Sequence, residues 1–390
     1  MFLSVAACVF LVLATLPLIY YVIAVYSAWR FFRRSGDGNP PKADFTPPVS
    51  NLKPVRGLDH QAYENFASFC RQDYPEYELL FCVGQRDDPV LPILEKLIRD
   101  FPERHIRILF GTGRTGSNDK VTKLARLAAE AQHEVLVISD SDVRVRPDYL
   151  RKVVAPLADS NVGAVTCFYV STGEKTFADD LQTIGMVSDF YAGVLVATQL
   201  DGVKFALGPT IATTRTHLAR FGGYQAIENR PADDLLVGRL IAERGYRIQL
   251  LSYAISTVSD YRSIPELIRK RLRWLVVMRH MRPWGHFGLL FTQGLPWSLA
   301  AIAIHPSAAV AVGYFGAYLA LRIAMTWTIG IWGLKRPALW MKFPLIPIWD
   351  LAALFIWCAS FLQKSVRWRD AEYLIRDGTL VPVTSSPGSE

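Results

Sequence analysis

Val135-Leu136-Val137-Ile138-Ser139-Asp140-Ser141-Asp142 decides how this 390-residue sequence is read. Four aliphatic residues in a row, too short a run for a helix and without polar alternation, predict a strand buried on both faces. Such strands belong to mostly parallel sheets, whose ligands sit beyond the carboxyl ends of the strands. Asp140 and Asp142 fall at that end. Two carboxylates there are hard oxygen ligands of the kind that suits Mg2+ or Mn2+ bridging a diphosphate.

The neighbouring sequence repeats the pattern. Val49 to Lys53, Glu78 to Val83 and Ile106 to Phe110 read as further strands. Val90 to Phe101, Val121 to Ala131 and Pro147 to Leu157 read as helices, the last opened by Pro147. Strand and helix in alternation predict an α/β fold with a Rossmann-like, mostly parallel sheet. A second acid pair, Asp87-Asp88, follows the strand ending at Val83. A third, Asp233-Asp234, precedes the helical run Leu235 to Arg244. There it serves either as helix N-terminal charge, worth roughly 0.3–1 kcal/mol, or as a general base poised by its neighbour. Gly111-Thr-Gly113-Arg-Thr-Gly116 formally matches the dinucleotide fingerprint, which keeps a nicotinamide dehydrogenase among the alternatives. Against that, the motif is not in the first βα unit, and the strand about 20 residues on ends in two acids where one would serve.

Charge locates the rest. Lys and Arg number 43 against 35 Asp and Glu, a net +8, and 51% of residues are hydrophobic, which excludes a disordered chain. From Leu267 to Trp349 there is no acid, but there are ten bases: Arg269, Lys270, Arg271, Arg273, Arg279, Arg282, Arg322, Lys335, Arg336 and Lys342. The basicity is therefore local and borders apolar sequence, which favours a phospholipid bilayer over nucleic acid. The five cysteines have no CxxC spacing and read as reduced thiols.

Phe2 to Ala28 is free of charge and ends in Trp29-Arg30-Phe31-Phe32-Arg33-Arg34, so residues 1–30 predict a transmembrane helix with its basic edge on the cytoplasmic side. Residues 31–48 read as a linker, 49–263 as the catalytic domain and 264–286 as a basic interfacial helix. Residues 287–363 hold three apolar segments (287–304, 306–334 and 343–363), and 364–390 form a tail. Gly294 and Pro296 predict a broken or re-entrant first segment; the side on which the tail ends depends on whether it crosses. Arg322 and Asp350 lie within apolar sequence, where an unpaired charge costs about 2.5–3.5 kcal/mol; either the two pair between neighbouring helices, or each snorkels or faces a wet groove.

The order of parts is distinctive: membrane anchor, Asp87-Asp88, Asp140-Ser-Asp142, Ala232-Asp-Asp234, Arg273-Trp274 on a basic helix, then more membrane helices. Together with Lys53-Pro54, Gln72-Asp-Tyr-Pro75 and Glu243-Arg-Gly-Tyr246, it resembles the membrane GT-A glycosyltransferases, and among them the ceramide glucosyltransferase family. Arg282-Pro-Trp-Gly to Gly294-Leu-Pro-Trp297 is most similar to the bacterial branch associated with hopanoid biosynthesis.

The resemblance implies an inverting transfer from a UDP-sugar to a lipid hydroxyl in the inner membrane, with the catalytic domain cytoplasmic. The expected donor is UDP-GlcNAc with a hopanoid polyol as acceptor, the alternative being UDP-glucose with ceramide. It implies Asp234 as base, and Lys53, Asp87, Asp88, Asp140, Lys270 and Arg273 around the nucleotide and diphosphate. Asp140 and Asp142 would hold Mg2+ or Mn2+, and Asp233 and Trp274 would line the acceptor site. Two departures bear against ceramide without touching the chemistry. Lys270 stands where the family has Gln or Arg, losing the planar fork, and Asp142 supplies a second acid that ceramide enzymes often lack.

Overall fold

The computed structural model describes residues 5–36, 45–111, 116–173, 175–258, 261, 263–368 and 371–383. They form two compact units, neither of them continuous in sequence. The first comprises residues 38–174, 203–260 and 378–390, and is built on one eight-stranded sheet. Its strands are β1 Val49–Val55, β2 Tyr77–Val83, β3 His105–Phe110, β4 Val135–Ile138, β5 Val143–Arg144, β6 Val162–Thr172, β7 Ile211–Thr214 and β8 Arg247–Val258. Their order is β3-β2-β1-β4-β7-β6-β8-β5. The first four are parallel neighbours, with Leu52 opposite Leu80 on one side and Ile138 on the other. β7 is antiparallel to both β4 and β6.

Strands β1, β2 and β4 are buried at every position; β4 is an unbroken apolar run, whereas β1 also buries Ser50, Asn51 and Lys53, and β2 buries Glu78. Pro54 is tolerated inside β1 because pairing with β4 stops at Leu52, so its missing N–H leaves no bond unmade on that side. Phe66, Phe69, Leu94, Leu97, Tyr149 and Val153 from flanking helices pack with the apolar side chains of the sheet. The helix expected from Pro147 starts at Tyr149 and tightens to a 3-10 turn over Ala155–Ala158, where Pro156 has no N–H for the α-helical bond. Residues 112–115 of the glycine motif lie outside the described residues.

The second unit comprises residues 1–37, 175–202 and 261–377. Among the described residues, four of its helices are long and apolar enough to cross a membrane: Val5–Arg34, Phe177–Asp201, Ala308–Gly333 and Pro337–Leu362. A fifth candidate is a pair, Pro283–Thr292 and Gly294–Ile304, bent by 55° at Gln293. Phe177–Asp201 was not anticipated. Sequence reading placed it inside a continuous 49–263 domain, because Asp179, Asp180 and Asp189 interrupt its apolar character. Residues 175–202 cluster instead with the terminal helices.

Arg322 and Asp350 do pair. Arg322 Nε donates to Asp350 Oδ2 at 3.0 Å and Nη2 to Oδ1, a bidentate contact to which the Tyr318 hydroxyl adds a bond at 2.9 Å. Arg322 Nη1 also donates to the carbonyl of Ser188, which sits in the π-helical turn Met186–Phe190.

Candidate active site

Three acids and a lysine gather at the carboxyl end of the parallel strands. β4 ends at Ile138 and delivers Asp140 two residues later. Lys120, in the first turn of the helix Asp119–Glu130, reaches Asp140 Oδ1 at 2.8 Å and Asp233 Oδ2 at 3.3 Å. Asp233 and Asp234 open the helix Asp233–Ala242. Asp234 Oδ2 accepts the N–H of Gly208 at 3.0 Å and Oδ1 its neighbour Leu235's at 2.8 Å. A Cβ on Gly208 would stand 3.1 Å from Asp234 Oδ2 and 3.7 Å from Asp140 Oδ2, so both carboxylates face Gly208.

The backbone is arranged for this. Ala232, just before the acids, has φ 55° and ψ 58°, a left-handed conformation costly for a residue with a Cβ. Asn118 caps the Lys120 helix, accepting from Val121, and its amide donates to Arg230 O at 2.9 Å. Ser117 N–H donates to Asn229 Oδ1 at 2.8 Å. The segment that carries Lys120 is thus fastened to the one that leads to Asp233.

Electrostatics separates the roles. Burial and then the adjacent Asp233 push the Asp234 carboxyl up to about 6, with Lys120 opposing. Burial alone would lower the Lys120 amine, but Asp140, Asp233 and Asp234 outweigh it and hold it well above the usual lysine range. Lys120 is therefore a permanent cation inside an acid cluster. Sequence reading missed it; the signal was a polar lysine in the first helical turn after the glycine-rich loop.

The anticipated residues are not all equivalent. Lys53 is fully buried in β1. Its ammonium donates to Ser139 Oγ at 3.0 Å and Asp140 O at 3.1 Å, and lies 3.4 Å from the Phe69 ring centre, so it fixes the Asp140 main chain. Burial lowers its amine to about 7. Both oxygens of Asp88 accept the Gly57 N–H, at 3.1 and 3.0 Å, and Oδ1 also accepts Val90's, which ties the loop after β1 to the one after β2. Asp87 beside it is exposed. The main-chain oxygen of Asp142 accepts the Val258 N–H at 2.8 Å, linking the Asp-Ser-Asp loop to the end of β8. Lys270, Arg273 and Trp274 lie on the helix Ile264–Met281 of the other unit, where the Lys270 ammonium is 4.7 Å from the Tyr261 ring centre and Trp274 packs on Phe190.

Among the described residues no group of three or more His, Cys, Asp or Glu side chains is placed to hold a metal ion. Two carboxylates with oxygen-only chemistry still fit Mg2+ or Mn2+, which keep waters and take phosphate oxygens for their remaining positions. Asp140 meets that condition with Oδ2, because Lys120 occupies Oδ1.

A mixed, mostly parallel sheet with acids at its carboxyl edge places the chain among α/β folds whose sites lie beyond the strand ends. Residues 9–381 match glycosyl transferase family 21, and the chain belongs to that family. It is a sugar-transferring enzyme. It is 23% identical to ceramide glucosyltransferase 3 of Caenorhabditis elegans over 94% of this chain and 80% of that one. Ceramide glucosyltransferase 1 of the same organism is also 23% identical, over 96% and 80%. The mannosyltransferase PcManGT from Pyrobaculum calidifontis, solved with GDP-Man and Mn2+, superposes with a TM-score of 0.56 at 20% identity, covering 87% of this chain and 99% of that one. The fold is accordingly GT-A.

Proposed function

We propose that the protein transfers a sugar from a UDP-sugar to a hydroxyl of a membrane lipid with inversion, and that the preferred pair is UDP-GlcNAc and a hopanoid polyol. The observation that carries the transfer reading is the convergence of Asp140 and Asp234 on Gly208, bridged through Lys120 and Asp233. It sets a donor-side carboxylate beside a base-side carboxylate, as a single displacement needs. Asp234, raised to about 6, is ionised near neutrality yet basic enough to take the acceptor's hydroxyl proton as the bond to the anomeric carbon forms. Its bonds to Gly208 and Leu235 fix the direction in which it takes that proton.

Asp140 and Asp142 would hold Mg2+ or Mn2+, which when bound supplies charge neutralisation to the departing UDP. Lys53 and Ser139 keep the Asp140 main chain in place for that task. Asp88 holds the Gly57 loop beside the nucleotide, while Lys270, Arg273 and Trp274 serve the diphosphate and acceptor from the basic helix. The catalytic unit works on the cytoplasmic face of the inner membrane. The hopanoid preference rests on the Arg282 to Trp297 motifs and on Lys270 and Asp142. Ceramide glucosylation is the second reading, favoured by the relatives' names.

A panel of UDP-sugars against hopanoid and ceramide acceptors, with products identified by mass, tests both. The expected result is a hexosaminyl-hopanoid formed only with Mg2+ or Mn2+ and abolished in Asp234→Asn. Robust glucosylceramide without hopanoid product overturns the acceptor assignment. Undiminished transfer by Asp234→Asn overturns the base.

A further inference from the structure

Every candidate span belongs to the terminal unit, and none of the described residues of the sheet unit forms a helix apolar and long enough to cross a membrane. The sheet unit therefore occupies one side of the bilayer, and the chain's departures from it and returns to it limit how often the helices cross. β6 ends at Thr172 and β7 begins at Ile211, and the two are neighbours in one sheet with Ala164 opposite Thr213. Between them the chain makes the single helix Phe177–Asp201. One crossing there would return β7 on the wrong side. At the other end, the Leu380 N–H donates to Asn229 O at 2.7 Å, within the sheet unit. Between residues 261 and 378 the number of crossings is therefore even.

Contacts inside the terminal unit show which helices make them. Phe32, at the end of Val5–Arg34 that leads into the sheet unit, lies edge-on to Trp332, and a Cβ on Gly333 would stand 2.3 Å from its ring. Nearer the opposite end, the Tyr314 hydroxyl donates to Leu11 O at 2.9 Å. Ala308–Gly333 thus runs beside Val5–Arg34 in the same direction, and both finish on the catalytic side. A helix that brings the chain to that side needs one that took it away, and the bent pair Pro283–Thr292 with Gly294–Ile304 supplies it. Phe10 packs on Trp297, and the Tyr21 hydroxyl donates to Thr292 O.

The even count is then complete, and Pro337–Leu362 must begin and end on the catalytic side. The contacts of its far end agree with this. Arg279 donates to the carbonyls of Ser360 and Gln363, and His286 bonds Ser360 Oγ at 2.8 Å. Arg279 belongs to the helix that also carries Arg269, Lys270, Arg271 and Arg273, and burying such charges in hydrocarbon costs about 2.5–3.5 kcal/mol each.

We infer that the chain crosses the bilayer three times, by Val5–Arg34, the bent pair and Ala308–Gly333, and that Phe177–Asp201 and Pro337–Leu362 form a surface embedded in the phospholipid leaflet on the catalytic side. Pro337–Leu362 has the faces this needs. Ile348, Leu351, Phe355 and Leu362 make one exposed apolar stripe, while Trp349, Asp350, Ile356 and Ser360 are buried against the protein. Phe177 and Leu200 are exposed near the two ends of the other helix, and Trp284 stands 85% exposed on the first half of the bent pair.

Cysteine labelling with a membrane-impermeant maleimide tests this in sealed vesicles of both orientations, in a Cys8→Ser, Cys358→Ser background. Ala308→Cys is expected to react from the side opposite the catalytic control Glu103→Cys. Asp201→Cys and Gln363→Cys should react only from the side of Glu103→Cys. Should either of these two label with Ala308→Cys, the corresponding helix crosses and the inference falls. It falls equally if Ala308→Cys labels with the control. Should a cysteine variant fail to insert, the wild-type chain with a C-terminal epitope tag decides. Protease must remove that tag only from the side on which it digests the sheet unit, and removal from the other side overturns the inference. Neither readout depends on sugar transfer.

Discussion

At the scale of single residues, Lys120 makes the sharpest claim. Its ammonium bridges Asp140 and Asp233 and is the counter-ion that lets the acids coexist. Lys120→Met leaves them facing one another, and a lost charge-assisted hydrogen bond is worth about 1.5–3 kcal/mol. Transfer should fall by at least tenfold, with partial recovery in Lys120→Arg; unchanged kcat/KM in Lys120→Met refutes the bridge. The proposed base carries a pH signature. As pH falls through about 6, Asp234 takes up a proton and can no longer accept one, so the rate should drop about tenfold per pH unit below that point. In Asp233→Asn the neighbouring charge that raises Asp234 is gone, and the limb should move to lower pH. A limb that stays in place or moves upward contradicts the assignment. Asp140 and Asp234 were legible because an acid just after a buried strand, or opening a helix, announces itself in one dimension. Lys120 and Gly208 were not, since their roles exist only when segments about 20 to 110 residues apart are brought together. The burial of Lys53 was equally hidden: its strand position was clear, but not that its ammonium turns to Ser139 and the Asp140 carbonyl.

At the scale of elements, the helix Asp233–Ala242 is held at an unusual closeness. A Cβ on Gly238 would lie 2.3 Å from the Phe205 carbonyl carbon and 2.4 Å from Ala206 N, both main-chain atoms that cannot rotate aside. The glycine therefore sets the distance between this helix and the segment leading to Gly208, and with it the Asp234–Gly208 bond. Gly238→Ala should cost about 1–3 kcal/mol by forcing a backbone shift. It should also lower transfer more than its lost stability explains, because Asp234, the proposed base, moves with the helix. Thermal midpoint and single-turnover rate, measured on the same sample, separate the two effects. At the other end of the same interplay, Ala232→Gly relieves the left-handed strain and should preserve stability, whereas Ala232→Val should lose it. The strands of the parallel half were readable to within two residues from their apolar runs. The antiparallel β7 and the long β6–β8 pair were not, because their faces mix polar and apolar residues and no local period marks them. The helix Phe177–Asp201 escaped notice for a related reason: three aspartates, of which Asp179 caps its own first turn and Asp180 pairs with Lys342, broke the apolar pattern.

At the scale of the whole molecule, the net charge of +8 resolves into a near-neutral remainder and an acid-free stretch of ten bases, and the fate of one of those bases is the clearest test of how the membrane unit holds together. Arg322 lies within an apolar helix and is almost completely buried, as is Asp350. Its guanidinium meets both carboxylate oxygens, the Tyr318 hydroxyl joins the same carboxylate, and a further nitrogen reaches the Ser188 carbonyl. The pair thus joins Ala308–Gly333 and Pro337–Leu362 to the π-helical turn of Phe177–Asp201. Removing one partner strands the other charge without water, a loss of about 3–5 kcal/mol. Removing both leaves no orphan. Arg322→Gln and Asp350→Asn should each lower the melting midpoint of the detergent-solubilised protein severely. Asp350→Asn should then cost little more once Arg322→Gln is present, because the damage was done when the first charge lost its partner. Strictly additive losses would mean that each residue acts with different neighbours, and that the Arg322–Asp350 pair is not what joins the helices.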